Sequence, residues 1–151
     1  MLEISSNNPC SHFIDGKLVR SSKGSFDVIH PGDGKVICMC DDADMSIINQ
    51  AVESSMSCFT SSEWSRKTIE QRANILRAIA KQIHDLSDDL ARAETMDCGK
   101  LIGDAKLDVE EAAGMFSYYA DLAESEVWQE TIALSTPDYK TVVFHEPVGV
   151  V

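Results

Sequence analysis

The chain has 151 residues, 44% of them hydrophobic and 25% charged, and its formal net charge is -12. This length and apolar content are sufficient for one modest hydrophobic core. The negative charge is spread along the chain and would repel a phosphate backbone, so we expect no nucleic-acid partner. No apolar run approaches the roughly 18 residues of a membrane span, so we expect no membrane association and a cytoplasmic protein.

The first part of the chain predicts two β-hairpins. FIDGKLV places Asp15 and Gly16 between short apolar runs, a pattern typical of a type I′ turn. SFDVI is followed by the turn sequence HPGDG and then by the apolar run from Val36 to Cys40. These segments therefore predict a second pair of strands.

Five cysteines occur without a repeated CxxC, which favours reduced thiols over a disulfide framework or a zinc site. Cys38 and Cys40 flank Met39, so they face the same side of the predicted strand. We interpret them as core residues. Metal binding by these two cysteines and scattered histidines is an alternative that no ligand spacing supports.

A first helix is predicted after the second hairpin. Asp41, Asp42 and Asp44 supply candidates for its N-cap and for negative charge in its first turn. Apolar residues then recur at helical spacing, and the helix is predicted to end near Phe59.

Two longer amphipathic helices and a strand are predicted in the remainder of the chain. Apolar residues at intervals of three and four predict one helix from about Lys67 to Asp97 and another from about Leu101 to Glu126. The last residues, YKTVVFHEPVGVV, are typical of strands on both sides of Glu146-Pro147.

The sequence ETMDCGK, residues 94–100, contains a candidate nucleophile, Cys98. Gly99 is expected to end the preceding helix in the left-handed conformation, which places Cys98 in the last helical turn. There the negative end of the helix dipole disfavours a thiolate, so we predict a structural role for Cys98. Asp97 opposes the same dipole unless a cation compensates it; the simpler alternative is a solvated carboxylate held by Lys100.

Two carboxylates share one face of the last helix. Asp108 and Glu111 are three residues apart, so they lie about one turn apart and repel each other. On residue pattern alone, a solvated helix face explains them best.

Five motifs together resemble a known family. FIDGKLV, VIHPGDGKVI, TMDCGK, FSYYADLAE and HEPVGVV occur in the order and spacing of the N-terminal part of NAD-dependent aldehyde dehydrogenases, across residues 12–151. Within that family, WSRKTIEQRANILRAIA, ETMDCGK and LDVEEA are most similar to betaine-aldehyde and aminoaldehyde dehydrogenases. The resemblance implies an α/β fold: β-hairpins, three long helices and the start of the parallel cofactor-domain sheet.

The resemblance also implies a function for the whole protein. It would oxidise an aldehyde, in particular a cationic amino or betaine aldehyde, to its carboxylic acid with NAD, NADP being left open. Residues 1–151 would be the N-terminal part of the domain and would end before the catalytic and nicotinamide-binding motifs, so that this chain alone is inactive. The full-length protein would form a homodimer or homotetramer.

Four residues acquire expected roles from the resemblance. Asp97 and the Ile29 carbonyl would bind a monovalent cation, K+ or Na+, while Asp108 and Glu111 would border the substrate entrance. The sequence departs from the family at His30, where Asn is usual. The competing hypothesis is a self-contained, acidic, helical module that binds another protein.

Overall fold

The structure is a computed structural model that describes residues 10–61, 63–125, 131–132, 141–143 and 146–151. Strand β1 (His12–Ile14) pairs antiparallel with β2 (Lys17–Val19). Between them, Asp15 and Gly16 have φ angles of 52° and 73°. A type I′ turn requires positive φ at both positions, so the predicted hairpin is confirmed.

The second predicted hairpin is also confirmed. Strand β3 (Ser25–Ile29) pairs antiparallel with β4 (Val36–Asp41), and the register shifts between Val28 and Ile29. Cys10 lies on the other edge of β4 and forms a parallel β-bridge with Cys40. A stretch that precedes the first hairpin therefore extends the second one.

Helix α1 (Met45–Thr60) begins at Asp44, whose carboxylate accepts a hydrogen bond from the Ile47 N–H at 3.0 Å. The N-cap and the predicted end of this helix are thus confirmed. Asp41 instead ends β4, and the first turn of α1 contains no acidic residue. The prediction of negative charge within the first turn was wrong, because pairing with β3 extends β4 as far as Asp41.

The predicted helix over residues 67–97 is two helices. Helix α2 (Ile69–Asp85) and helix α3 (Ser87–Cys98) meet at Leu86, whose φ of -103° and ψ of 10° depart from helical values. The prediction of one continuous helix was wrong because the apolar spacing continues across this break. A signal for it was present: the first turn of α3 carries Asp88 and Asp89, which favour a helix N-terminus.

Helix α4 (Ile102–Glu124) agrees with the predicted third helix, apart from Glu126, which lies outside the described residues. It packs along α2 and α3, and Ala91, Ala105 and Val109 form a buried cluster. Four alanines of these three helices are fully buried: Ala73, Ala91, Ala105 and Ala120. Alanine permits close approach of helices but removes little apolar surface from water, so the described helices share only a thin core.

Strand β5 (Thr131–Ile132) pairs antiparallel with β6 (Thr141–Val142), so part of the predicted strand before Glu146 is present. Residues 139–140 and 144–145 of that prediction lie outside the described residues. Residues 146–151 are described and form no strand, in contrast to the prediction. A strand needs a hydrogen-bonded neighbour, and within the described residues none pairs with this segment.

Within the part of the chain that the structure describes, no helix combines the length and the apolar composition needed to cross a membrane.

Candidate functional site

The C-terminal end of α3 contacts the turn after β3. Gly99 adopts the left-handed conformation with φ of 73°, and its N–H donates to the Thr95 carbonyl at 3.0 Å, as predicted for a helix end. A Cβ atom placed on Gly99 would lie 2.8 Å from Pro31 Cγ. The helix end that carries Asp97 therefore approaches the turn that follows Ile29.

Asp97 is exposed in the last turn of α3. Among the described residues, no hydrogen bond or ion pair engages its carboxylate. Lys100 does not hold it, because the Lys100 ammonium instead donates to Glu94 at 2.7 Å and to Asp108. The simpler alternative for Asp97, a carboxylate held by Lys100, was therefore wrong.

Cys98 occupies the last turn of α3, where the sequence predicted it. Its thiol is exposed and donates to the Glu94 carbonyl at 3.1 Å. The four histidines of the chain do not include a neighbour of Cys98 in sequence, and within the described residues no base contacts the thiol. The geometry thus contains no activated nucleophile at this position.

Lys100 connects α3 to α4. Its half-buried ammonium forms ion pairs with Glu94 from α3 and with Asp108 from α4. The hydrogen bond to Asp108, followed by the bond to Glu94, raises the pKa of Lys100 above its ordinary value. Lys100 consequently stays charged at neutral pH and keeps Asp108 engaged.

Glu111 differs from Asp108 in its surroundings. It lies one turn further along α4, is exposed, and makes no hydrogen bond or ion pair to any residue that the structure describes. The structure thus places the two predicted entrance residues on the same helix but leaves only Glu111 available to an external cation. The sequence prediction did not include Lys100 as the partner of Asp108, although Lys100 lies only eight residues before Asp108.

Three cysteines meet on one face of β4. The sulfur atoms of Cys10, Cys38 and Cys40 all lie within 4.8 Å of one another. Burial, followed by the neighbouring thiols of Cys10 and Cys40, raises the pKa of Cys38 to about 11. Burial also raises the pKa of Cys40, with a smaller contribution from the negative charge of Asp97. Sequence analysis placed Cys38 and Cys40 together but missed Cys10.

Comparison with known proteins identifies the family. The family pattern described as "Aldehyde dehydrogenase family" matches residues 18–151. The chain belongs to the aldehyde dehydrogenase family. The resemblance seen in the sequence motifs is confirmed, and so is a fold of the family that mixes helices and strands. The described residues form four helices and antiparallel strand pairs, so the three long helices and the parallel sheet that the resemblance implied are not seen in this part of the chain.

Individual relatives and solved structures agree with this assignment. The chain is 35% identical over 147 residues to aminoaldehyde dehydrogenase 2 of Solanum lycopersicum, covering 95% of this chain and 29% of that protein. It is 34% identical over 129 residues to the peroxisomal aminoaldehyde dehydrogenase 2 of Pisum sativum, covering 82% of this chain and 26% of that protein. The structure of a betaine aldehyde dehydrogenase double mutant from Staphylococcus aureus, solved in complex with NAD+, superposes on this chain with a TM-score of 0.83 and 32% sequence identity. The superposition covers 97% of this chain and 30% of that protein. The chain thus spans less than a third of these relatives.

Proposed function

We propose that this protein oxidises a cationic amino or betaine aldehyde to its carboxylic acid with NAD, and that residues 1–151 form its N-terminal part. The observation that carries the proposal is the match, over 95% of this chain, to a relative named as an aminoaldehyde dehydrogenase. The similar structure of a betaine aldehyde dehydrogenase in complex with NAD+ supports the same substrate class and cofactor.

In this proposal the catalytic residues lie outside residues 1–151. No G-x-G-x-x-G turn that could hold a pyrophosphate occurs in the 151 residues, and Cys98 lacks an activating base among its described neighbours. The contribution of this chain is architecture and one side of the substrate entrance. The chemistry of the whole enzyme would be attack by a cysteine thiolate elsewhere in the protein, with hydride transfer to NAD.

The α4 face supports the choice of a cationic substrate. Glu111 extends from this helix without a described partner, while Asp108 is engaged by Lys100. An exposed carboxylate at a substrate entrance raises the local concentration of an aldehyde that carries an ammonium or trimethylammonium group. Glu111 is therefore the residue of this chain that selects for positive charge.

We propose that Asp97 and the Ile29 carbonyl bind a monovalent cation, K+ or Na+. The Asp97 carboxylate has no cationic side chain bound to it within the described residues, and it lies at the negative end of the α3 dipole. The contact between Gly99 and Pro31 brings the helix end toward the turn after Ile29. A cation between the carboxylate and the carbonyl would balance both negative groups.

Exposed apolar side chains support a larger protein. Large hydrophobic residues are more than half exposed on both hairpins and on α4, including Phe13, Leu18, Leu107, Met115 and Tyr118. Burial of this surface by the rest of the enzyme and by a second subunit would remove it from water, as in a homodimer or homotetramer. The cytoplasm is the proposed location, although relatives with chloroplastic and peroxisomal names exist.

Two measurements test the proposal. The full-length enzyme should reduce NAD with an ω-aminoaldehyde or betaine aldehyde, followed by NADH absorbance, and should have a lower kcat/KM for an uncharged aldehyde of equal length. The 151-residue chain should show no turnover and no heat of NAD binding in a calorimetric titration. Saturable NAD binding to the short chain would contradict the assignment of the cofactor site to the later part. Equal kcat/KM for both aldehydes would contradict the substrate class.

A further inference from the structure

The backbone brings the three thiols together. The Cys10 N–H donates to the Met39 carbonyl at 2.7 Å, and the Asp41 N–H donates to the Cys10 carbonyl at 3.0 Å. These two bonds place Cys10 beside Cys40 in a parallel bridge, where paired side chains point to the same face. Cys38 is two residues from Cys40 and shares that face. The cluster is thus a consequence of strand pairing.

The three thiols differ in their exposure to solvent. Cys38 is buried, Cys40 is half-buried and Cys10 is exposed. An ion can therefore enter past Cys10 and reach a sulfur that is shielded from water. All three sulfur atoms lie within 4.8 Å of one another. Three metal–sulfur bonds of about 2.3 Å to one ion need sulfur separations of about 4.0 Å, so a modest rotation of the side chains brings all three thiols onto one ion.

We propose that Cys10, Cys38 and Cys40 bind one soft, monovalent d10 metal ion, Cu(I), through three sulfur atoms. Sulfur ligands are the ones that Cu(I) prefers, whereas hard cations prefer oxygen. Binding forms Cu–S bonds, releases the thiol protons to solvent and transfers no electron. This site is separate from the proposed dehydrogenase chemistry and does not depend on it.

Zn(II) and a disulfide fit the cluster less well. Structural zinc in proteins is four-coordinate, and within the described residues no fourth cysteine, histidine or carboxylate joins the three thiols. A disulfide joins two sulfur atoms and would leave the third thiol of the cluster unpaired, whereas one ion can bind all three. A bound metal ion also replaces the proton of the buried Cys38 thiol with a positive charge.

The test uses the reduced 151-residue chain without oxygen, with Cu(I) supplied as its complex with a coloured chelator. We expect the protein to withdraw one equivalent of Cu(I), seen as loss of the chelator colour. X-ray absorption at the copper edge should show three sulfur neighbours. Failure to withdraw Cu(I), or a spectrum dominated by nitrogen and oxygen neighbours, would overturn the proposal.

Two exposed cysteines provide a matched pair of variants. Cys10→Ser should weaken Cu(I) binding at least tenfold, because it removes one of three ligands and leaves the buried thiols in place. Cys58→Ser, at another exposed position, on α1, should leave binding unchanged. Circular dichroism of both variants should match that of the parent. Equal affinity of the Cys10→Ser variant and the parent, or complete displacement of Cu(I) by equimolar Zn(II), would also overturn the proposal.

Discussion

The side chains of Lys100 and Asp108 form an ion pair between the turn after α3 and the first half of α4. Glu94 shares the same ammonium at 2.7 Å. Asp108 is therefore occupied within the protein, and Glu111 is the carboxylate of the pair that remains available to a substrate cation. This distinction leads to the first prediction.

Replacement of Glu111 by Met in the full-length enzyme should raise KM for an ω-aminoaldehyde and lower its kcat/KM about fivefold, the effect of a partly solvated ion pair. An aliphatic aldehyde of similar length should be unaffected. Steady-state kinetics at low and high salt measure kcat/KM for both aldehydes. Glu110→Met is the matched control, since Glu110 is equally exposed but points from a different side of α4. Equal changes for both aldehydes would contradict electrostatic selection at this face.

Potassium should stabilise the protein through Asp97. We expect Tm of the parent to rise as potassium chloride is added, relative to a salt with a large organic cation at equal ionic strength. The Asp97→Ala variant should have a lower Tm that potassium does not restore, because the carboxylate ligand is lost. Glu110→Ala removes one exposed negative charge elsewhere and should retain the response. Identical potassium dependence in Asp97→Ala and parent would rule out this cation site.

Replacement of Gly99 by Ala should destabilise the fold by about 1–3 kcal/mol, because alanine is strained at positive φ. The added Cβ would also lie 2.8 Å from Pro31 Cγ, so the turn would have to move. Gly114→Ala is the matched control: it is helical, and nothing lies within 4 Å of its added Cβ. That variant should be more stable than the parent by about 0.5–1 kcal/mol. Urea unfolding followed by circular dichroism measures both, and equal stability changes in the two variants would contradict the strain expected at Gly99.

Stability of the reduced, metal-free protein should fall as the pH rises from 9 to about 11. The pKa of Cys38 is raised from 9.0 to about 11 in the folded state. In this window the unfolded chain has released the thiol proton and the folded chain retains it, so rising pH favours unfolding. Below pH 9 both states hold the proton and the effect vanishes.

Urea unfolding at a series of pH values tests this linkage. Cys38→Ala should remove the contribution of this thiol to the slope of the free energy of unfolding against pH. This expectation holds even if the variant is less stable than the parent at every pH. Cys58→Ala is the control for removal of a thiol at an exposed position. Parallel curves for the parent and Cys38→Ala would show that the buried thiol does not contribute.

Arg77 should stabilise the contact between α2 and α4. Its guanidinium Nη2 lies 2.7 Å from Asp121 and 2.6 Å from Glu124. Arg77→Lys cannot reproduce these several hydrogen bonds and should lower Tm by about 2 °C at low salt, and by less at high salt. Arg66→Lys, in an exposed turn, should leave Tm unchanged. Salt-independent loss in Arg77→Lys would indicate packing by the side-chain stem instead.

Much of the local structure was predictable from the sequence alone. Asp15-Gly16 specified a hairpin because both residues tolerate positive φ, and Gly99 specified a helix end for the same reason. Asp44 specified a helix start because its carboxylate reaches an N–H three residues later. The ordered motifs also indicated the family, which the family match confirmed.

Tertiary structure alone decided which distant groups meet. Lys100 could reach Asp97 or Asp108 by sequence distance, and the packing of α3 against α4 selected Asp108. Cys10 joins Cys38 and Cys40 only because strand pairing brings together residues nearly thirty positions apart. Turns and caps depend on the dihedral angles and hydrogen bonds of a few neighbouring residues, so a short sequence pattern is enough to predict them. Ion-pair partners and thiol clusters depend on how whole elements pack, and no local pattern contains that information.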